Sequence, residues 1–596
     1  MNRTWKKAAA LILAAAMALG LAACGDGNSQ TDPAAQTGNP HAPLTINRIS
    51  NLITEEFVEA LHEVYPEINL QIVSYAGNNG SGYARYSMEM DDMTDIHITT
   101  QPFHKELMAE RFVDLSNYDF LDNYSTFLLN SLDVDGSIYL LPSGYTVAGM
   151  FYNRTILQEN GWAVPTSFEE LMALAPEIEA AGYQPFANAM DLEGYPFNYF
   201  FSLGNTVYFG TQDGVQWKER FPSGEASAAG NQGLEDVVRY YDEWIKNGVI
   251  TGEHMSNREF MESGRVVFYL CLGLSSYAYE AQDGNTYEFG ILPWLSRDGS
   301  NNMLTRNVSR YFALNKHLEE PGNEQKLQDA LHVMEFLSSE AGQKAVMIDI
   351  GAYISPLSDG KMAEDSPYQE VADTIYSGHS VQLVYVGWED LLVPIAQDLR
   401  ALIEGEIPAE ELTRQFDTTY GEVADSSVNT IYGTLTETLT YEKTAELCAI
   451  AEGKAADADC AMVSLNEYHG EDNFNRNGVA WHLWSGKVGN ENINMIVSAG
   501  NVSVAVLELT GGEIEQMQQS GFDANQNGDP YPYVLVTKGG MELDDDTVYR
   551  LAIAENELPE AMCERAAVLD VSAKNAILDY VRALGTFGAA DIVWEG

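Results

Sequence analysis

The chain has 596 residues, with 32 basic against 88 acidic side chains and a formal net charge of −56. A surface this acidic repels polyanions, and no Lys/Arg cluster offers a local exception, so nucleic acid and anionic lipid are poor partners. Apolar residues make up 45%, which is ordinary for globular chains, and the length provides for several domains.

Arg3, Lys6 and Lys7 precede a short apolar stretch from Ala8 to Ala22, which reads as a targeting segment. It ends in Leu21-Ala22-Ala23-Cys24. The run from Gly25 to Pro43 is rich in Gly, Asn, Gln, Thr, Pro and Ala and reads as a flexible tether. No other run of about 18 apolar residues follows.

Leu44 to Ile49 reads as a first strand. Phe57, Leu61 and Val64 recur at helical spacing between Thr54 and Tyr65, and Pro66 ends that helix. Ile68 to Tyr75 is a second strand. Gly77 to Tyr83 reads as a solvated turn, with Asn79 and Tyr83 as secondary candidates for ligand contact; it lacks the Gly-Lys-Ser/Thr of a phosphate loop. Asp95 to Pro102 is a third strand. This β-α-β rhythm predicts an α/β fold with a mostly parallel sheet. Ligands of such sheets sit beyond the carboxyl ends of the strands, so Gln101 and Phe103 are candidates.

Asp135 and Gly136 form a turn that launches an apolar strand, which Pro142 ends. Val147 to Tyr152 is a second apolar run. Thr166 or Ser167 then caps a helix with Glu169 and Glu170 in its first turn. This succession reads as a chain passing from one lobe to another. Asp191 to Phe200 is dense in aromatic rings and carries two carboxylates; a helix start with core aromatics and a ligand contact are both open readings. Gly233 to Gly248 is a helix with Val237, Tyr240, Tyr241 and Trp244. Gln382 to Trp388 precedes a long helix, and another starts at Pro408.

Several motifs recur in a familiar order. They are Phe112-Val113-Asp114-Leu115, then Gly136 with Tyr139 and Pro142, Tyr152-Asn153, and Pro165-Thr166-Ser167-Phe168-Glu169-Glu170-Leu171. Phe260 to Phe268, Phe289-Gly290-Ile291-Leu292-Pro293, and Ser338 to Gln343 follow. The set resembles family 1 extracellular solute-binding proteins, the sugar-binding subunits of ABC importers. Leu21 to Cys24 likewise resembles a lipobox, with cleavage before Cys24, which then carries lipid.

The resemblance implies a two-lobed periplasmic-binding-protein-like α/β fold of type II with a hinge. Residues 1–23 would be a lipoprotein signal peptide and 24–43 the tether. Lobe 1 would take about 44–145 and 308–355, and lobe 2 about 146–307 and 356–436. A carbohydrate is the implied ligand, a membrane permease the implied partner, and a lipid-anchored, extracytoplasmic monomer the implied state. No enzymatic activity, cofactor or metal is expected. The implied ligand contacts are Gln101, Phe103, Tyr145, Thr146, Glu193, Tyr195, Tyr277, Asn307 and Trp388. Flat rings would cover the C–H faces of a sugar, and carboxylates and amides would match its hydroxyls in a dried cleft. The chain departs from the family in carrying Phe168 where Trp is commoner. It also lacks the Trp usual near Leu272 to Ser276, for which Tyr277 stands in.

From about Tyr441 the pattern changes. Asp459 to Ser464, Gly486 to Val488, Ser498 to Leu507, Leu509-Thr510-Gly511, Tyr549 to Ala552 and a helix from Ala573 to Leu584 follow in order. Residues 437–596 thereby resemble the α+β C-terminal domain of 5'-nucleotidases. The Arg and Phe that hold nucleotide in that family are missing, at Gly478 to Trp481 and at Ala499. Tyr531 with Tyr533, or Trp481 with Trp484, remain as stacking candidates. The family's dimetal catalytic motifs are absent from the chain. An alternative function is nucleoside or nucleotide binding, or residual nucleotide hydrolysis, involving this domain. Asp523 to Gly528 looks like half a calcium loop, but its twelfth position is Val534. Cys271, Cys448, Cys460 and Cys563 have no metal-binding spacing. Buried thiols are the simplest reading, and a Cys448–Cys460 disulfide is open.

Overall fold

Short apolar runs broken by Gly, Pro and Asp become strands in this molecule, and the longer amphipathic runs become helices. The computed structural model describes residues 41–49, 53–77, 80–99, 105–274, 278–308, 310–350, 354–359, 368–382, 388–425, 431–466, 478–497, 502–523 and 530–595. Cys24, Gln101, Phe103, Tyr277 and the half calcium loop beyond Asp523 lie outside the described residues.

The chain first lays down β1 (Leu44–Arg48), β2 (Leu70–Ser74), β3 (Ile96–Thr99) and β4 (Leu141–Pro142). Next come β5 (Tyr145–Ala148), β6 (Met150–Asn153), β7 (Gln184–Asn188), β8 (Val266–Leu270), β9 (Ala278–Glu280) and β10 (Thr286–Leu292). β11 (Leu304–Val308), β12 (Tyr311–Leu314) and β13 (Ser380–Gln382) follow. One five-stranded sheet runs β2-β1-β3-β12-β4, and a second runs β7-β8-β6-β10-β9. A three-stranded sheet, β13-β11-β5, lies on the chain segments that pass between them. β1 is parallel to β2 and β3, while β12 enters antiparallel between β3 and β4.

Local signals set many boundaries. Ser167 caps the helix Phe168–Ala180, its hydroxyl accepting from the Glu170 amide at 3.1 Å. The helix Gln232–Lys246 buries Val237, Tyr240, Tyr241 and Trp244 on its apolar face. The apolar run through Val147 to Tyr152 divides at Gly149 into β5 and β6. A Cβ on Gly149 would lie 2.2 Å from the Leu292 carbonyl oxygen, so only glycine permits this close approach. The Gly77–Tyr83 stretch is not a solvated turn throughout. A helix begins at Gly80, and Tyr83 is buried in it.

The second half has its own core, rich in aromatic rings. The helices Glu389–Ile403 and Ala409–Asp425 return to this core through Leu391, Leu399, Leu412 and Phe416.

The C-terminal module adds β14 (Gly433–Leu435), β15 (Cys460–Ser464), β16 (Gly486–Val488), β17 (Ser503–Thr510), β18 (Tyr533–Thr537), β19 (Val548–Ala554), β20 (Ala567–Ser572) and β21 (Thr586–Phe587). Its main sheet runs β18-β15-β19-β17-β20, and a smaller one runs β16-β14-β21. The helix Tyr441–Ala455 covers the main sheet, and the helix Ala573–Leu584 packs on that helix. No disulfide joins Cys448 and Cys460; both are buried free thiols, as is Cys271, while Cys563 is exposed.

This module shares one apolar core with the first half. Trp484 packs beside Tyr83 and Tyr86, and its indole N–H donates to Asp92 at 2.7 Å. His482 also meets Asp92, at 3.2 Å. Arg85 and the Tyr86 hydroxyl both donate to Glu491. The module's hydrogen bonds to Tyr75, Ala76, Arg85, Tyr86 and Asp92 all reach the first half.

Candidate functional site

The three-stranded sheet joins the two halves, and its register decides which side chains it offers. Thr146 stands opposite Asn307, and Val147 opposite Arg306. Strand alternation therefore puts Thr146, Thr305 and Asn307 on one face and Tyr145, Val147, Arg306 and Val308 on the other.

The two faces differ in chemistry. Asn307 is exposed and Thr146 half-buried, so both have polar groups within reach of a solute. Thr305 is buried and donates to the Ser202 hydroxyl at 2.8 Å, which fixes this face to the helix Tyr195–Gly204. On the opposite face Tyr145 is only 1% exposed, and burial raises its phenol well above the usual range. The expectation that Tyr145 offers a ring to a ligand is corrected here. Its ring lies edge-on to Phe127, among core side chains.

Arg306 shares that buried face and is 4% exposed. Its guanidinium lies 4.8 Å over the Phe127 ring, and burial lowers its pKa. Its Nε and Nη1 have no hydrogen-bond partner among the described residues.

A second polar group gathers at the carboxyl end of β7. Buried Asn188 fixes the local backbone: its Nδ2 donates to the Thr251 and Glu253 carbonyls, and its Oδ1 accepts from the Thr251 amide. Tyr199 ties the ends of β7 and β8 together by donating to the Ala189 and Leu270 carbonyls, each at 2.8 Å. The chain then presents exposed Asp191 and Glu193, followed by half-buried Tyr195. Burial, with Cys271 and Asp191 nearby, pushes the Tyr195 phenol up to about 12. Tyr195 thus remains a neutral donor and acceptor with part of its ring accessible. His254 was not legible as a member of this group. It accepts from the Met190 amide at 3.0 Å and lies 3.8 Å from Asp191, a pairing that no local sequence pattern encodes.

Trp388 belongs to neither group, which corrects the expectation of a cleft-side ring. It is 2% exposed, and its indole N–H donates to the Lys218 carbonyl at 2.8 Å. Its ring packs against Phe201 and Phe221 in the second core. The expected contacts thus divide. Thr146 and Asn307 come together, as do Glu193 and Tyr195, while Tyr145 and Trp388 serve the cores. No group of His, Cys, Asp and Glu arranged to hold a metal occurs among the described residues. No described helix is long and apolar enough to cross a membrane.

Residues 98–370 match the family described as bacterial extracellular solute-binding protein. The multiple sugar-binding protein of Streptococcus mutans is 27% identical over 154 residues, covering 26% of this chain and 36% of that protein. The chain thus spans about a third of the length of this curated relative. A family 1 extracellular solute-binding protein from Bifidobacterium longum subsp. infantis is similar in structure, with a TM-score of 0.52 at 18% identity, over 64% of this chain and all of that one. The bacterial solute receptor AcbH, described as exclusive for β-D-galactopyranose, gives 0.51 at 14% identity, over 64% of this chain and 98% of that one. At these identities the two structures establish the fold. The family match is confined to residues 98–370, and the fold shared with these two structures is built here from two sheets joined by a narrow third.

Proposed function

We propose that this chain captures a carbohydrate in the cleft between its two α/β halves and delivers it to an ABC permease. One observation carries the reading. The face of the joining sheet that holds Asn307 and Thr146 is polar and accessible, while its opposite face is sealed by Tyr145, Val147 and Val308. A site built there has hydroxyl-matching groups in its floor. Glu193, Asp191 and Tyr195 stand at the carboxyl end of β7, where an open sheet takes its ligand. Contacts to both halves are what allow a ligand to favour a closed form. The family match and the name of the Streptococcus mutans relative support a sugar over other solutes.

The finer elements of this reading are a mature chain anchored by lipid on Cys24, working outside the cytoplasm as a monomer without catalysis. Lobe boundaries near 145, 308 and 355 belong to the same proposal, as do Gln101, Phe103 and Tyr277 as contacts. The C-terminal module is read as a nucleotidase-like fold retained for an accessory role. Its stacking candidates argue against a nucleotide site: Tyr531 and Tyr533 are buried, Trp484 is spent on Asp92 and the first half, and Trp481 packs on Tyr83.

Thermal unfolding of the mature chain across sugars, oligosaccharides, nucleosides and nucleotides tests the reading, because a ligand that binds the folded form raises Tm. A shift with one sugar class, reduced by Asn307→Ala, is the expected result. A shift with nucleotides alone overturns it.

A further inference from the structure

Three consecutive residues after β2 are each held by a different part of the C-terminal module. Tyr75 is fully buried, and its hydroxyl donates to the Met495 carbonyl at 2.7 Å. The Ala76 carbonyl accepts from the Asn466 side chain at 3.3 Å. At Gly77 a Cβ would lie 2.9 Å from the Ala480 Cβ and 2.3 Å from the Tyr75 hydroxyl, so this residue is pressed between the module and its own neighbour. Trp481 stands edge-on to Tyr83 at 4.9 Å and to Tyr75 at 6.1 Å, and those two tyrosines stack at 4.7 Å.

The place matters more than the number of contacts. Residues 75–77 leave the carboxyl end of β2, beside the parallel strand β1, and lead into the helix Gly80–Glu89. The carboxyl ends of parallel strands are where an open α/β sheet takes its ligand. The end of β1 is tied in as well, since the Ile49 carbonyl oxygen lies 3.0 Å from where a Cβ on Gly80 would stand. The module is therefore built onto the ligand-side edge of the first sheet.

We propose that the C-terminal module is a positioning element of the ligand site, acting through Trp481 and Tyr75 on the connection after β2. This rests on the reading of the cleft as a sugar site. Trp481 and Tyr75 are positioning residues: they fix the backbone at the rim of the cleft before a sugar arrives. Without them the sugar pays to order that backbone. Ligand affinity and docking of the module are then linked in both directions.

The test uses the full chain and the sugar identified by thermal shift, with affinity from calorimetry and amide exchange across residues 75–84. Trp481→Ala is expected to weaken binding about tenfold, the cost of ordering roughly one backbone residue on binding. It also speeds exchange in that segment, and Trp481→Phe restores both. Tyr75→Phe, which removes a single hydroxyl, is expected to weaken binding about threefold and serves if Trp481→Ala does not fold. Sugar binding within twofold of the parent in both Trp481→Ala and Tyr75→Phe overturns the inference and leaves the transport reading standing. Parent protein that binds no sugar at all removes both.

Discussion

The first half meets the rest of the chain at two junctions of opposite character. Toward the second half the connection is a sheet of three short strands, with close packing at Gly149 and an apolar cluster in which Phe112 and Tyr311 join Phe151 and Phe289. Toward the C-terminal module it is a shared core with aromatic rings, an Asp92 that accepts from both His482 and Trp484, and a Tyr75 hydroxyl bond. In the proposed closing motion the first junction bends along these three strands. The second has no such line of weakness, because its rings interlock and its polar groups are spent on one another. On the proposed solute-binding reading, the first junction is the hinge and the second a fixed joint, with the first half common to both.

The fixed joint gives the largest expected effect. Trp484→Ala removes a buried ring and leaves Asp92 short of a donor; it is expected to cost about 3–5 kcal/mol in urea unfolding of the full chain. A loss below about 1 kcal/mol would mean that the module is only loosely seated, and the contrast would fail.

The pH dependence of the two joined parts is expected to run in opposite directions. In the C-terminal module, buried Glu452 and Glu557 face each other's charge, and burial raises both, Glu557 from 4.5 to about 7. Such an acid holds its proton more tightly when folded. Its contribution is most favourable below pH 4.5 and declines as pH rises through about 7. In the first half, burial pushes His97 from 6.5 down to about 4, so its contribution is present above 6.5 and lost as pH falls through about 4. Glu557→Gln should flatten the alkaline decline, a change on the order of 1–3 kcal/mol between roughly pH 5 and 8. Denaturant midpoints against pH measure it, and an unchanged slope would show that Glu557 does not hold its proton more tightly in the folded state.

At the hinge the expected effects are smaller and differ in sign. Arg306→Met replaces a buried guanidinium by an apolar chain of similar length and is expected to stabilise by about 1–2 kcal/mol. Destabilisation would identify Arg306 as a paired residue. Asn307→Ala, on the other face, is expected to leave Tm unchanged and weaken sugar binding about tenfold in calorimetry, the loss of one well-placed hydrogen bond. Equal affinity would move the site away from the joining sheet.

Local order was legible where the signal was local. The helix Ala573–Leu584 matches its sequence reading end to end, and Ser167 caps where a Ser followed by acidic residues should. Leu509-Thr510-Gly511, read only as a family motif, also opens a helix with a full Thr510–Glu513 capping box, a local signal the sequence reading passed over. The fate of individual rings was not legible. Trp388 and Asn307 both stand beside apolar strand-like runs, and only the register of distant segments buries one and exposes the other. Tyr75 finds its acceptor 420 residues away, and Tyr83, read as part of a polar turn, finds Trp481. Such partners are fixed by packing of the whole, which no window of sequence contains.

β12 carries a consequence for how the chain comes together. It lies between β3 and β4, yet it follows them in the chain only after the whole of β5 to β11. As the chain emerges N-terminus first, the first sheet stays incomplete until residue 314 arrives, with unpaired edges on both sides of the gap. Long-range pairing of this kind is slow, and open strand edges invite wrong partners. The second sheet has all its strands by Leu292, whereas the first waits for Leu314, and the seat of the C-terminal module is finished only after it. Premature release of the growing chain before Leu314 would leave a fully stranded second sheet attached to a first sheet that cannot be sealed.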